Sequence, residues 1–324
     1  FPCQAQLLAI ALSLTAPAAA DDSVMPAVTA ALQQPVVACD AAHLDPQRLT
    51  PYYSASPAPY WLSARGPNER AVLLRATLQN AGHEGLTPAR YGLDAIEAHW
   101  PATAPAERAC LELLLTAGFD RYSRDLRRGR VGPHEADPSW MLRPSAFDPV
   151  AALQVIGSDR DFASLLESLP PAHAAYARLR AALQRYRQHA APDGWPALPP
   201  GPALAPGDVH EQVPAVRARL RREGDLGRFA LSFGTRYDAA LELAVQRYQR
   251  RHGLESDGVV GARTRVALNV PAAERIAQLQ RAMERLRWLP RELGNHYVLA
   301  STAGFELAVI ENERTALRIR TLNG

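Results

Sequence analysis

Apolar residues recur every three or four positions over long stretches of the chain, the pattern of helices that bury one face. The first such helix begins after Asn68, whose side chain suits an N-cap. Further stripes predict a long helix over about 104–128, two short helices within 146–168, and another helix over 172–189. Residues 68–190 are therefore predicted to form a helical scaffold.

Proline marks the segments on either side of these helices. Residues 21–67 are rich in proline and show no sustained period, so we expect an irregular, extended lead-in. Residues 191–206 hold six prolines, a density that excludes a helix and predicts a stiff linker.

A compact unit of three short helices is predicted for residues 207–270. Val213, Val216 and Leu220 lie at the spacing of one helix face, and a second apolar stripe ends at Gly253. A turn and a third short helix follow. A unit of this size has a small core of its own.

The period of the pattern changes near the end of the chain. Residues 271–291 carry one more helical stripe, which stops before Pro290. From Tyr297 onwards apolar residues alternate with polar ones, as in strands, with a turn at 311–314. A few strands cannot bury both faces, so residues 295–324 are expected to begin a β-domain that continues beyond them. The predicted fold is mainly α-helical and ends in a β-hairpin.

Composition and the N-terminal segment bear on the compartment. The formal net charge is only +3, and every basic residue except histidine is arginine, so a field that captures nucleic acid is not expected. Residues 1–20 contain a short apolar run followed by small alanines, the pattern of a signal peptide that is cut after Ala20. The alternative is a buried apolar helix. We expect export to the periplasm and no integral membrane segment.

Cysteine is sparse, and its pattern indicates no metal site. Cys39 and Cys110 remain after removal of the signal peptide, and they could form a disulfide or stay as two separate buried thiols. No CxxC or HExxH spacing occurs, so neither a metal nor another cofactor is expected.

The 207–270 unit resembles the peptidoglycan-binding domain of bacterial cell-wall enzymes. The family usually has Phe-Gln where this chain has Tyr248-Gln249, a mild departure. The matching residues are Gly207, Asp208, Val213, Val216, Arg217, Leu220, Gly224, Asp225, Leu226, Asp238, Ala244, Val245, Tyr248, Gln249, His252, Gly253, Leu254, Asp257, Gly258, Val259, Val260, Gly261, Thr264, Leu268 and Asn269.

The flanking segments resemble the YcbB-type L,D-transpeptidases from about residue 50 to the end. The resemblance rests on motifs such as His83-Glu84-Gly85-Leu86, Tyr91-Gly92-Leu93 and, most specifically, the segment from Glu284 to Pro290. It implies an enzyme that cross-links peptidoglycan stem peptides through a cysteine thiolate. That family carries its nucleophile in a Ser-His-Gly-Cys context, which this sequence lacks, so no catalytic residue can be assigned and the chain alone is expected to be inactive.

Within the small unit, a basic patch is the candidate for contact with peptidoglycan. Arg247, Tyr248 and Arg251 could meet wall carboxylates, or the arginines could simply form a solvated helix face. Trp288 could touch substrate, although packing is the usual role at the end of an apolar stripe. Structural roles are expected for the turn and motif residues Gly207, Asp208, Asp257, Gly258 and Gly261.

Other functions are compatible with a wall-binding unit. The chain could serve a different peptidoglycan enzyme, such as an amidase or a lytic glycosidase, or it could only adhere to the wall. The Trp288-Leu289-Pro290 helix end and the strands after it favour the transpeptidase. The sequence does not specify the peptidoglycan feature that is recognised or the oligomeric state.

Overall fold

The computed structural model describes residues 24–39, 42–54, 56, 58–189, 197–227, 234–301, 306–312 and 314–320. The expected signal peptide and the first part of the expected linker, residues 191–196, lie outside this description. The chain divides into two compact units. The first contains residues up to Gly82, Thr87–Asp125 and Phe147–Leu169. The second contains His83–Leu86, Leu126–Ala146 and the chain from Pro170 onwards.

The first unit is mainly helical, as predicted. Its α-helices are α1 (Val24–Leu32), α2 (Pro46–Ser54), α3 (Glu69–Gln79), α4 (Leu93–His99), α5 (Pro105–Arg128, whose last turn belongs to the second unit), α7 (Pro149–Gln154) and α8 (Asp159–Ser168). Two 3₁₀ helices span Asn80–Glu84, whose last two residues belong to the second unit, and Pro88–Tyr91. Short antiparallel pairs are formed by β1 (Val37–Cys39) with β2 (Ala42–Leu44) and by β3 (Leu62–Ser63) with β4 (Gly66–Pro67).

Trp61 lies at the centre of the first unit. Its ring is fully buried and contacts the rings of Phe119 and Phe162. Its indole N–H donates to Thr116 Oγ1 at 2.8 Å. The backbone N–H groups of Tyr60 and Trp61 donate to the buried Glu112 carboxylate of α5, and burial raises the pKa of that carboxyl to about 7. The Trp61 side chain thus packs the loop after α2 against α5 and α8.

The prediction that residues 21–67 form an irregular lead-in is wrong. This segment contains α1, α2 and all four of the short strands. Pro46 occupies the first turn of α2, where a missing N–H costs nothing, so proline there starts the helix and does not break it. The N-cap expected at Asn68 is confirmed, because its side chain accepts from Ala71 N at 3.0 Å.

The second unit contains α6 (Pro133–Ala136) and a pair of long helices, α9 (Ala174–His189) and α13 (Ala272–Arg287). These two helices pack on each other through the apolar stripes predicted for them. The contact is made by Tyr176, Leu179, Leu183, Ile276, Leu279, Met283 and Leu286. Between α9 and α13 the chain forms α10 (Val213–Glu223), α11 (Ala239–Arg251) and α12 (Ala262–Leu268).

An antiparallel sheet follows α13, as the alternating pattern predicts. Its strands are β5 (His296–Ser301), β6 (Glu306–Glu311) and β7 (Arg314–Arg320), in the order β5-β6-β7. Val298 pairs with Val309, and Val309 pairs with Leu317, so the three share one face of the sheet. Val298 is 58% exposed and Leu317 50% exposed. This face is therefore apolar and largely in contact with solvent.

A disulfide joins Cys39 of β1 to Cys110 of α5, with a Cα–Cα distance of 5.6 Å. This decides between the two alternatives that the sequence leaves open. No group of three or more His, Cys, Asp or Glu side chains that could hold a metal occurs among the described residues. Within the same residues no helix is long and apolar enough to cross a membrane.

We predict that Cys39→Ser lowers the thermal stability of the first unit. The bridge closes a loop with a sequence separation of 71, for which the unfolded-chain entropy model gives about 4 kcal/mol, at the upper end of the range of about 2–4 kcal/mol typical of disulfides. Thermal unfolding with and without reductant measures the effect. Reductant should lower the melting temperature of the wild type and leave that of Cys39→Ser unchanged, and Cys110→Ser should behave like Cys39→Ser. Equal melting temperatures for wild type and Cys39→Ser would contradict the prediction.

Candidate functional site

The three short helices α10, α11 and α12 enclose one compact core. The arrangement is the one that the apolar spacing predicts, with Tyr237 and Tyr248 as its largest side chains. The remaining members are Leu198, Leu204, Val213, Val216, Leu220, Leu226, Leu241, Ala244, Val245, Val260 and Leu268. We call residues 197–270 the three-helix unit.

The second half of the predicted linker belongs to this unit and does not separate it from the scaffold. Leu198 and Leu204 are buried in the core, and Leu204 forms a β-bridge with Val260. Asn269 accepts from Leu198 N at 2.7 Å and donates to its carbonyl at 3.0 Å. Arg265 donates to the carbonyls of Pro199 and Pro202. The prolines thus exclude a helix, as predicted, but their backbone carbonyls are held by side chains of the unit.

Gln249 connects α11 to the turn before α12. It is 1% exposed, and its amide N–H group donates to Asp257 Oδ1 at 2.7 Å and to Thr264 Oγ1 at 3.1 Å. Its Oε1 accepts from Gly258 N at 2.9 Å. Gly258 has φ +75°, and a Cβ there would lie 3.0 Å from Glu242 Cγ. The turn therefore requires glycine and is fixed by one buried amide.

The other motif residues also have structural positions. Gly207 adopts φ +94° and donates to Tyr237 O at 2.8 Å. Asp208 Oδ2 accepts from Ala205 N at 2.7 Å, which closes the same turn. Gly261 is the N-cap of α12, with extended backbone and no side-chain cap.

The basic patch predicted to contact ligand is largely used by the fold. Tyr248 is fully buried and packs on His252 with ring centroids 4.1 Å apart, so it is a core residue and not a ligand contact. Arg247 donates to the carbonyl of Asp225 at 2.7 Å. The Arg251 side chain is 39% exposed and forms ion pairs with Asp225 and with Glu223, at 3.1 Å from the latter. The structure thus brings the three residues together but removes Tyr248 from the candidate site.

Glu223, which sequence reasoning missed, connects the three-helix unit to α9. Its fully buried carboxylate accepts from the Tyr186 hydroxyl of α9 at 2.6 Å and from Arg219 and Arg251 at 3.1 Å. Burial, and then the charge of Glu223, raise the pKa of Tyr186. Tyr186 lies in the apolar stripe of α9, and a buried phenol requires a hydrogen-bond partner. Its position in the sequence therefore indicated that a polar group packs against α9.

A second contact joins the three-helix unit to α13. Arg275 of α13 donates to Ala267 O at 2.9 Å and reaches the Tyr248 hydroxyl at 3.4 Å. Nearby, burial and the positive charges of the surrounding arginines lower the pKa of His252 to about 3, so this histidine is neutral near pH 7. The unit is therefore packed on the helix pair through a network of buried polar groups.

The solvent side of α11 remains available for a ligand. Arg247 and Arg250 are exposed, and Leu243, on the same helix, is 53% exposed. Arg250 contacts Ser256 Oγ at 3.2 Å and forms no ion pair with a described carboxylate. This surface combines positive charge with a small apolar area.

Trp288 packs at the end of α13 and does not face solvent. It is 4% exposed, and its ring lies edge-on to Trp140 with centroids 5.3 Å apart. A Cβ on Gly129 would lie 2.6 Å from the Trp288 indole nitrogen, so Gly129 leaves room for the ring. This position favours the packing role.

Comparison with known proteins agrees with this architecture. Residues 47–183 match the Scaffold domain family, and residues 209–268 match the peptidoglycan binding domain family. No curated protein matches the chain. The chain is thus a mainly α-helical protein that carries a scaffold domain and a peptidoglycan-binding domain. The pair suggests an L,D-transpeptidase-like architecture and supports a role in binding the cell wall.

We predict that Gln249→Ala destabilises the three-helix unit by about 2–3 kcal/mol, because buried partners on the 257–264 turn lose their hydrogen bonds. Urea unfolding followed by circular dichroism measures the change. Gln246→Ala is the matched control, since its amide makes one hydrogen bond with Glu242 at 3.3 Å on a partly buried face. Equal destabilisation by the two variants would refute the role given to Gln249.

Proposed function

We propose that this chain is the peptidoglycan-binding and scaffold part of a YcbB-type L,D-transpeptidase, an exported enzyme that cross-links stem peptides in the periplasm. The proposal is carried by the order of parts within one chain. A scaffold domain precedes a peptidoglycan-binding domain, and a helix that ends at Trp288 leads into an antiparallel sheet. A general wall-binding module does not require the last two parts.

The chemistry of such an enzyme divides between binding and acyl transfer. A cysteine thiolate attacks the stem-peptide carbonyl, the terminal D-amino acid leaves, and the acyl group passes to the amine of a neighbouring stem. Cys39 and Cys110 cannot supply this thiolate while they are bonded to each other. We therefore assign binding and positioning to these residues, and assign the nucleophile to the β-domain of the parent enzyme.

The exposed face of α11 is the surface that we assign to the wall. Stem peptides carry carboxylates, and Arg250 presents its guanidinium group to solvent. Arg247 is exposed on the same helix and keeps Nη1 for a ligand, while its Nε and Nη2 donate to the Asp225 carbonyl. Arg251 supports the surface through Asp225 and keeps part of its side chain exposed. Because these charges are exposed, each contact is weak and is screened by salt.

We predict that the chain sediments with purified sacculi and that Arg247→Gln/Arg250→Gln lowers the bound fraction about threefold or more. Retention should fall as salt increases. The double variant Arg178→Gln/Arg185→Gln, on the exposed side of α9, removes the same charge and should bind like wild type. Equal losses in the two double variants would show nonspecific attraction, and no retention of wild type would refute wall binding.

We also predict that this chain alone forms no cross-linked product from a tetrapeptide stem and an amine acceptor. Loss of a nucleophile costs several orders of magnitude in rate, and binding and scaffold parts do not restore it. Mass spectrometry of the reaction mixture is the measurement. Product that disappears after treatment with a thiol-blocking reagent would mean that a cysteine of this chain is the nucleophile, and the proposed division of labour would be wrong.

A further inference from the structure

The solvent side of α11 carries apolar groups at one end and positive charges at the other. Ala240, Leu243, Arg247 and Arg250 are all exposed, and their spacings of three, four and three residues place them in one stripe along the helix. With a rise of about 1.5 Å per residue, the stripe is about 15 Å long. Its first half is apolar, with Leu243 53% exposed, and its second half holds the two guanidinium groups.

The opposite side of α11 supports this stripe. Leu241, Ala244, Val245 and Tyr248 are buried in the core of the three-helix unit. Asp238 caps the first turn, where its side chain accepts from Leu241 N at 2.9 Å. The helix that presents the stripe is therefore anchored along its length, as a binding surface on a helix requires.

The two guanidinium groups keep donors for a ligand. The Asp225 carbonyl accepts from Arg247 Nε at 3.1 Å and from Nη2 at 2.7 Å, which orients the group and leaves Nη1. Arg250 donates to Ser256 Oγ through Nη1 at 3.2 Å. Within the described part of the chain neither arginine forms an ion pair. The protein does not neutralise this half of the stripe, so a ligand with carboxylates complements it.

The wall polymer offers two chemically different surfaces. Its sugar chain is neutral where a stem is attached, because the muramic acid carboxyl is used in the amide bond to that stem. The stem peptide carries carboxylates and the methyl groups of alanine. Sugar rings are usually bound against an exposed aromatic face, whereas the aromatic side chains described in the three-helix unit, Tyr237 and Tyr248, are 1% and 0% exposed. Charge and shape of the described surface thus favour the stem.

We propose that the α11 stripe binds the stem peptide and not the sugar chain, with stem carboxylates on Arg247 and Arg250 and an alanine methyl group against Leu243. Four extended residues span about 13 Å, close to the length of the stripe. This inference rests on the proposed wall binding and names the part of the wall that is recognised. Because the charges are exposed, a single stem binds with a Kd on the order of a millimolar.

Saturation-transfer NMR of the full chain with a disaccharide tetrapeptide tests the proposal. The probe joins N-acetylglucosamine and N-acetylmuramic acid to a stem of L-alanine, D-glutamate, diaminopimelate and D-alanine. We expect the largest transfer on the alanine methyl and stem α protons, because these protons lie closest to the stripe. Largest transfer on the sugar ring protons, or no transfer to any proton, would overturn the proposal.

The charged and apolar contacts are tested separately. Conversion of the stem carboxyls of the probe to amides should weaken binding about threefold or more. Leu243→Ala should weaken it about twofold, since only part of the leucine is desolvated. The matched control is Val155→Ala in the first unit, a residue 79% exposed, which should bind like wild type. An amidated probe that binds like the free acid, or Leu243→Ala that binds like wild type, would contradict the proposed contacts.

Sedimentation with sacculi separates this inference from the proposed wall binding. Retention on sacculi together with largest transfer on the sugar would refute the stem-peptide assignment and still support wall binding. Loss of both retention and transfer would refute wall binding itself.

Discussion

The burial of the Glu223 carboxylate is the constraint on which the second unit depends. A carboxylate removed from water costs several kcal/mol unless it is paired and hydrogen-bonded. Glu223 meets this requirement with donors from two places, Tyr186 of α9 and two arginines of the three-helix unit. If the unit moved away from α9, the carboxylate would lose its Tyr186 partner. The three-helix unit is therefore held against α9 by buried hydrogen bonds and ion pairs, in addition to the proline-rich segment that connects the two.

The same principle recurs at the end of α13. Glu284 accepts from the backbone N–H of Arg130 and Val131 and from the Arg287 guanidinium. Arg287 in turn holds the turn at Glu84 and the hydroxyl of Tyr176. One planar cation thus satisfies three acceptors on different segments, which an ammonium group could not do with the same geometry. The sequence contains no lysine, so arginine is the side chain at every such position.

Local patterns predict most of the helices but not the groups that connect them. Asn68 begins α3 as expected, and the stripes of α9 and α13 meet as their spacing requires. These features depend on neighbouring residues, which the sequence displays directly. The hydrogen bonds between Leu198 and Asn269 cross 71 positions, and nothing in the local period of a proline-rich segment reveals them. The pairing of Cys39 with Cys110 has the same long-range character.

Local sequence patterns also predict only part of the candidate site. Tyr248 and the arginines beside it form a basic aromatic patch in the sequence, yet the fold buries the tyrosine and pairs Arg251 with acidic groups. A donor already used in a buried network is not free for a ligand, because taking it away leaves a charge without a partner. We therefore assign binding to the place where the fold leaves polar groups partly used, the exposed side of α11. That side offers scattered charge, which suits a large, repetitive polymer better than a small ligand that must be held by groups at a fixed separation.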